Sequence, residues 1–335
     1  MFVTNSLSGG GAERATNILV NTLSDSGNQV SLVTINDGPS DLIKPKCQIF
    51  ELKRKWQGGF LSVLGAYFKL QRAIWKWKPE YVVLNCDIPE FLGSLTVGKH
   101  KLIAVEHATH PWLNRIQLGK LTRKILATRE TKWVAVSDHL YIWGLNSVPD
   151  ISICNATILP EVSRRPSSGK INRLNYVGRL SKEKQPLWAL KIAEQTRLPI
   201  RIYGDGLLKS ELQEYASKNK IESDFAGFVS NPWTFFEEGD LLIVPSSFEG
   251  DGLVLIEAMG NKVPVIANDI PDLRRFNLED SNYAATIEEF CNLIIDNLTR
   301  IEHFLPNEAV VSKILKERDP IKVAKKWNDF LSSLA

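Results

Sequence analysis

Apolar runs of strand length alternate along this chain with stretches whose apolar residues recur every three or four positions, and glycine-containing turns divide them. The alternation starts with a short strand over residues 1–5 and a glycine loop, Ser6 to Gly11. A helix then runs over about 12–23, with Ile18, Leu19 and Leu23 at helical spacing. Gly27 stops it, and a second strand follows over 29–35. Strand, helix, strand in that order predicts a parallel sheet with right-handed crossovers. Residues 60–78 read as a helix with an apolar face of Leu61, Leu64, Phe68 and Ile74, flanked by Lys53, Arg54, Lys55 and Trp56 and ending Trp75-Lys76-Trp77-Lys78. Strands are expected over 81–84 and 101–105, the second delivering Glu106 and His107 at its carboxyl end, where open α/β sheets bind ligands. A basic helix over 115–129 carries Lys120, Arg123, Lys124 and Arg129. After it come a strand over 133–137, a helix starting at Asp138 with Ser137 as its cap, and a short strand over 151–155.

The same rhythm restarts after residues 157–170, where Pro160, Pro166, Ser167, Ser168 and Gly169 mark a linker. Strands over 174–177 and 200–203 end in Gly178 and in Gly204-Asp205-Gly206; helices are expected over 187–196, 209–219 and 232–238. The run Leu241-Leu242-Ile243-Val244-Pro245 leads through Gly250-Asp251-Gly252 into a helix from Leu253. A terminal helix over 319–334 aligns Val323, Trp327, Phe330 and Leu331, a face suited to packing back on the first half. At 335 residues the chain exceeds a single core. Two domains are expected, 1–156 joined by 319–335, and 157–318.

Composition adds little: 44% hydrophobic and 24% charged residues are ordinary for a globular protein. The charge distribution says more. Residues 1–155 carry 18 Lys+Arg against 12 Asp+Glu, whereas the remainder carries 23 against 26. A basic first half, with lysines among tryptophans around the 60–78 helix, suits an acidic partner such as a phosphate or an anionic membrane surface. Core-facing tryptophans beside solvated lysines explain the same residues. Cys47, Cys86, Cys154 and Cys291 form no CxxC pair, which argues for a reducing compartment and against a zinc site. Nothing reads as a signal peptide or a bilayer-spanning run, so the expectation is a cytoplasmic chain, at most peripheral on a membrane.

The densest chemistry lies in Ser246-Ser247-Phe248-Glu249-Gly250-Asp251-Gly252-Leu253-Val254-Leu255-Ile256-Glu257. A helix start after a glycine turn presents backbone N–H groups and a positive dipole end, which favour a phosphate. Glu249 before the turn and Glu257 on the helix can accept hydrogen bonds from hydroxyls on either side of that phosphate. Hydroxyls, phosphates and more hydroxyls describe a nucleotide-sugar. Arg179 and Lys184, just past a strand end, can reach a diphosphate. No DxD pair or histidine cluster suggests a metal, so no metal or other cofactor is expected. The first glycine loop is neither a dinucleotide fingerprint, since the third glycine would fall at Arg14 despite Asp37 closing the next strand, nor a P-loop. Its glycines suit close backbone approach to a ligand.

Taken together, these motifs resemble retaining glycosyltransferase family 4, and the likeness covers nearly the whole chain. The most specific element is the Glu-x7-Glu pattern of Glu249 and Glu257; "SGGGAER" (8–14), "VGRLSKEK" (177–184), "YGDG" (203–206) and "AGFV" (226–229) follow the family's order. The resemblance implies the GT-B fold, two Rossmann-like α/β domains facing each other across a cleft. It also implies transfer of a sugar with retention, from a UDP-sugar or GDP-mannose, to a glycan or polyprenyl-linked acceptor in bacterial surface polysaccharide synthesis. By the same resemblance Glu249 and His107 sit at the donor sugar, Glu257 at the ribose, and Arg179 and Lys184 at the diphosphate. Main chain at Gly252, Leu253, Val254, Gly10 and Gly11 would hold phosphates or acceptor-side groups, and Phe228 would meet the base. Asp251 departs from the apolar residue usual in the family; a third carboxylate at the sugar and a side chain pointing into solvent are both open. No nucleic-acid partner is implied. A nucleotide-sugar epimerase and a non-catalytic nucleotide-sugar-binding module are the alternatives.

Overall fold

The computed structural model describes residues 1–7, 10–36, 45–55, 59–112, 115–159 and 168–334. Gly9, Asp37, Trp56 and most of the expected linker, including Pro160, Pro166 and Ser167, lie outside them. The chain divides into two compact units, Met1–Ile158 with Arg318–Ala335, and Leu159–Glu317.

The first unit contains β1 (Phe2–Thr4), α1 (Gly11–Asp25), β2 (Ser31–Asn36), β3 (Gln48–Arg54), α2 (Gly59–Trp77), β4 (Tyr81–Asn85), α3 (Asp87–Leu95), β5 (Lys101–Glu106), α4 (Ile116–Thr128), β6 (Lys132–Ala135) and β7 (Ile151–Ser152). Its strands form one parallel sheet in the order β3-β2-β1-β4-β5-β6-β7. The second unit contains β8 (Arg173–Val177), α5 (Pro186–Thr196), β9 (Ile200–Tyr203), α6 (Lys209–Lys218), β10 (Ser223–Gly227), β11 (Asp240–Val244), α7 (Leu253–Gly260), β12 (Val265–Asn268), α8 (Pro271–Arg274), β13 (Tyr283–Ala284), α9 (Ile287–Asp296) and α10 (Glu308–Glu317). Its sheet is also parallel, in the order β10-β9-β8-β11-β12-β13. Helices cover both faces of each sheet, which is why the central strands are apolar on both sides. This is the GT-B pairing of two α/β units. The strand order reverses between β1 and β4 in one sheet and between β8 and β11 in the other. Ligands bind at such reversals, outside the carboxyl ends of the strands.

The terminal helix α11 (Pro320–Ser333) belongs to the first unit. Asp319 caps it by accepting from Lys322 N, and Pro320 occupies its first turn, where no donor is lost. Val323, Ala324, Trp327 and Phe330 are buried, with the Trp327 ring edge-on to Phe2 at 5.9 Å. Burial of each large apolar side chain on this face contributes roughly 1.5–3 kcal/mol.

Several local expectations are corrected. Strand β3 and helix α3 are additional elements. Helix α2 turns the other way: Ala66, Leu70, Ala73 and Ile74 are buried, while Leu61, Phe68 and Trp75 are 79%, 60% and 61% exposed. Of the four residues read as its apolar face, only Ile74 is buried. The two alanines let α2 lie close to the sheet, which a face of Leu and Phe would not. No helix begins at Asp138; turns occupy that stretch, with Gly144 and Asn146 at positive φ and an antiparallel bridge between Ile142 and Ser147.

Arg123 is not part of a solvated basic face either. It is fully buried between Glu90 of α3 and Glu106 of β5. All five guanidinium N–H groups find acceptors. Nε and Nη2 bond Glu90 at 3.0 and 2.8 Å, Nη1 and Nη2 bond Glu106, and Nη1 also bonds Trp143 O at 2.9 Å. Trp112 Nε1 adds a bond to Glu90, Trp143 N adds one to Glu106, and the Trp133 ring lies 5.1 Å from the guanidinium. This network ties α3, β5 and α4 together.

Arg123→Met would leave two carboxylates buried without their cation, and should lower unfolding free energy by about 3–5 kcal/mol in urea titration. Burial pushes the Glu106 carboxyl up to about 7 against the pull of Arg123. An unfolded glutamate near 4.5 releases its proton earlier, so this group's contribution to stability declines as pH rises across that window. Glu106→Gln should flatten the slope.

Candidate active site

In the second unit the loops after β8 and β11 meet at the strand-order reversal. Tyr176 OH, buried at the end of β8, donates to Arg179 O at 2.9 Å and so curls the first loop. Burial, with Glu249 and Glu183 nearby, raises this phenol's pKa and keeps it a donor. The turn after β9 is stitched to the same loop: Gly178 N donates to Tyr203 O at 3.0 Å and Leu180 N to Asp205 O at 2.9 Å. A Cβ on Gly204 would lie 1.9 Å from Gly178 O, so only glycine fits there. Gly204 N in turn donates to Gly227 O at 2.7 Å, which brings the turn bearing Phe228 alongside.

The loop after β11 is fastened to the first by Ser247, whose N and Oγ both donate to Glu183 O, at 2.9 and 3.0 Å. Across this seam Lys184 Nζ lies 2.5 Å from Glu249 Oε1, with side chains 28% and 11% exposed. Arg179, on the same loop, is exposed and its guanidinium has no ion-pair partner among the described residues. The chain then turns through Gly252, at φ +62°, into α7, which has no side-chain cap. The first amides of α7 therefore point toward the seam's end of the helix.

A bracket from α8 holds this turn. Asp272 Oδ2 accepts from Glu249 N at 2.7 Å. Arg275 Nη2 donates to Asp251 O at 2.8 Å and to Asp251 Oδ1 at 3.0 Å. The guanidinium lies 4.4 Å from the Phe276 ring, which itself packs so close that a Cβ on Gly252 would meet it at 2.9 Å. Asp251 is thus buried in an ion pair. Of the two placements open for Asp251, at the donor sugar or pointing into solvent, the second is excluded, because Arg275 supplies a partner in place of water.

Glu257 is also more enclosed than expected. It is 3% exposed and its Oε2 accepts from Trp233 Nε1 at 2.9 Å. Neither Asp272, Arg275 nor Trp233 was expected at the site. An indole N–H inside a short apolar segment is the only trace Trp233 leaves in the sequence, since a buried indole needs an acceptor.

Gly10, Gly11 and His107 belong to the first unit. Gly10 caps α1, and Glu13 Oε2 lies 1.8 Å from where a Gly10 Cβ would be. That atom is the far end of a flexible side chain and Gly10 has φ −88°, so the close approach does not by itself demand glycine. His107 follows β5 with Nε2 3.0 Å from Asn85 Oδ1 at the end of β4. Both line a small cavity of about 20 Å³, with Thr16, Asn155 and Trp327, large enough for one water molecule. Among the described residues no three or more His, Cys, Asp and Glu side chains gather as a metal-binding group.

Residues 162–290 match the model of the family described as Glycosyl transferases group 1. Over 273 residues, 77% of this chain and 76% of the relative, the sequence is 26% identical to a Campylobacter jejuni protein named GalNAc-alpha-(1->4)-GalNAc-alpha-(1->3)-diNAcBac-PP-undecaprenol alpha-1,4-N-acetyl-D-galactosaminyltransferase. The fold matches that of Anabaena HepE, solved with UDP and glucose, with a TM-score of 0.77 at 15% identity, over 99% of this chain and 98% of that one. Sucrose-phosphate synthase from Thermosynechococcus elongatus matches with a TM-score of 0.79 at 15% identity and the same coverage. At such identities the structural likeness is one of fold.

One backbone position in the first unit is strained. Cys86, between Asn85 and α3, has φ 76° and ψ 178°, a region reserved almost wholly for glycine, where other residues cost about 1–3 kcal/mol. Cys86→Gly should therefore raise unfolding free energy by about 1 kcal/mol after glycine's extra chain entropy. A lowered urea midpoint would show that the conformation is not strained.

Proposed function

We propose that this chain, a family 4-like glycosyltransferase with the GT-B fold, moves a sugar with retention from a nucleoside diphosphate-sugar to a glycan or lipid-linked acceptor of a bacterial surface polysaccharide. A UDP-sugar is the favoured donor, with GDP-mannose the alternative, and no metal takes part. The observation that carries the reading is the Lys184–Glu249 pair at the β8–β11 reversal, beside the uncapped start of α7. A cation, an acceptor carboxylate and free helix amides in one place suit a sugar joined to a diphosphate.

In this reading Arg179, Lys184 and the amides of Gly252, Leu253 and Val254 take the diphosphate. Glu249 then accepts from donor sugar hydroxyls, and Glu257 from the ribose. Main chain at Phe228 meets the base. His107 contacts the donor sugar, and main chain at Gly10 and Gly11 holds phosphates or acceptor-side groups. The bond from the anomeric carbon to the diphosphate oxygen breaks, and its electron pair stays on that oxygen. The leaving diphosphate takes the acceptor hydroxyl's proton as the acceptor oxygen bonds to the same face of the sugar. Charge builds on the diphosphate, so electrostatic stabilisation there is the main protein contribution. The Campylobacter relative, with PP-undecaprenol in its name, supports a lipid-linked acceptor.

Such an acceptor would bring the chain to the inner face of the cytoplasmic membrane. No helix among the described residues is long and apolar enough to cross it. Contact falls instead to α2, whose exposed Leu61, Leu64, Phe68 and Trp75 form one stripe opposite the buried face, beside exposed Arg72, Lys76 and Lys78. Apolar anchors flanked by cations match an anionic bilayer surface.

Glu249→Ala should cut transfer from a UDP-sugar by about 100-fold or more with nucleotide affinity nearly kept, and turnover should survive EDTA. Arg179→Ala with Lys184→Ala should weaken UDP binding by about 10- to 100-fold in calorimetry. Unchanged values in both variants would reject the donor-site assignment. For the membrane, the chain should sediment with phosphatidylglycerol vesicles at low salt, and Phe68→Ser with Trp75→Ser should release it. Equal binding by both proteins would remove α2 from the contact.

A further inference from the structure

Trp233 lies in a 3₁₀ turn, Pro232–Phe235, on the segment between β10 and β11. It is 1% exposed, and its Nε1 donates to Glu257 Oε2 at 2.9 Å. A buried indole N–H needs an acceptor, and any nearby carbonyl would serve. Here the acceptor is a carboxylate of α7, 24 residues along the chain. The indole is itself held in place. Its ring centroid lies 5.4 Å from that of Phe236, which stacks on Tyr203 at 5.8 Å with the planes 17° apart. Tyr203 ends β9, and its carbonyl accepts from Gly178 N. Val229, Trp233 and Phe236 all pack into the apolar cluster that holds Leu255 and Ile256 of α7. The segment is thus pinned to the helix along its length, and its first residue, Phe228, follows directly on β10.

We infer that Trp233 is a positioning residue for Glu257: its indole sets the plane of the carboxylate that receives the ribose hydroxyls, and so ties ribose recognition to the segment at whose start the base is met. The inference rests on the proposed reading of Glu257 and Phe228 as nucleotide contacts. A carboxylate only accepts, with about four lone-pair directions on its oxygens. An indole donates once, accepts nothing and brings no charge. It therefore directs the Glu257 carboxylate through one lone pair without neutralising it, whereas Lys184 meets Glu249 as an ion pair. The terminal torsion of a glutamate is otherwise broad. Neighbouring hydroxyls of a ribose can donate to one carboxylate only when its plane is aligned with them. Setting that plane before the nucleotide arrives lowers the ordering cost of binding. The aromatic stack carries the constraint from the end of β9 to the indole, and the indole carries it to α7.

The test is calorimetry of the full chain with UDP and with 2′,3′-dideoxy-UDP, which lacks both ribose hydroxyls, and with the matching GDP pair. The wild type should bind the hydroxylated form about tenfold more tightly than the dideoxy form. Trp233→Phe keeps most of the ring's packing and removes the N–H. It should weaken UDP binding about tenfold and leave dideoxy-UDP binding within about twofold, so that the preference nearly vanishes. In a Glu257→Ala background the same change should add nothing. Equal losses for both ligands, or a further loss of UDP affinity in the Glu257→Ala background, would show a merely structural role and overturn the inference. An undiminished preference in Trp233→Phe would overturn it too. Should that variant not fold, the indole ¹H–¹⁵N signal of Trp233 in the wild type answers the same question. UDP should shift it and dideoxy-UDP should shift it much less; equal shifts would overturn the inference. A wild type that binds UDP and dideoxy-UDP alike would reject Glu257 as the ribose acceptor, and the inference with it. Binding of neither diphosphate would reject the donor site as a whole.

Discussion

Where the order of strands in a parallel sheet reverses, the two loops leaving the central strands diverge to opposite faces and leave a gap between them. The arrangement of the second unit depends on that constraint. β8 and β11 are neighbours in the sheet, so Gly178–Lys184 and Ser246–Gly252 start side by side. The Ser247–Glu183 bonds close the gap partway, and Lys184 and Glu249 meet across it. Each charge is held in place by the other, so neither needs to be ordered when a ligand arrives. A diphosphate that recruits Lys184 would leave Glu249 to accept sugar hydroxyls, coupling recognition of the two parts of the donor.

The surroundings of this pair are built to keep the turn in place. Gly204 lies against Gly178 O where no side chain could stand, and Arg275 holds Asp251 by both its carbonyl and its carboxylate. Asp251 therefore serves to fix the shape of the turn. The first unit repeats the logic with different parts. Its reversal lies between β1 and β4, and there Asn85, next to a strained Cys86, bridges Val3 O and His107. Buried charges such as those around Arg123 add little net stability, but they fix direction well, because losing any one partner is costly.

Much of this was legible in the sequence, for physical reasons that differ element by element. β11 and α7 were readable because a five-residue apolar run, a glycine turn and a helical period follow each other without interruption. β3 was not, because it is an edge strand whose exposed positions carry Gln48, Glu51 and Lys53, leaving a weak alternation. α3 was hidden by Pro89, which falls in the first turn, where proline does no harm. α2 is apolar on two opposite sides, so periodicity alone could not choose the buried one. At the site, glutamates, glycines and basic residues were legible as types in order. Their partners were not: Arg275 lies 24 residues from Asp251 and Trp233 24 from Glu257, and no local pattern links them. Arg123 was misread for the same reason, its two carboxylates lying 33 and 17 residues away.

The central claim is that a nucleoside diphosphate sits on the amides at the start of α7, next to the Lys184–Glu249 pair. Amide hydrogen exchange of the full chain with and without saturating UDP tests it most directly. The predicted result is slowed exchange at Gly252, Leu253 and Val254 and in the Gly178–Lys184 loop, with the far side of the second sheet unchanged. Exchange at Gly252, Leu253 and Val254 that is unaltered by bound UDP would contradict it.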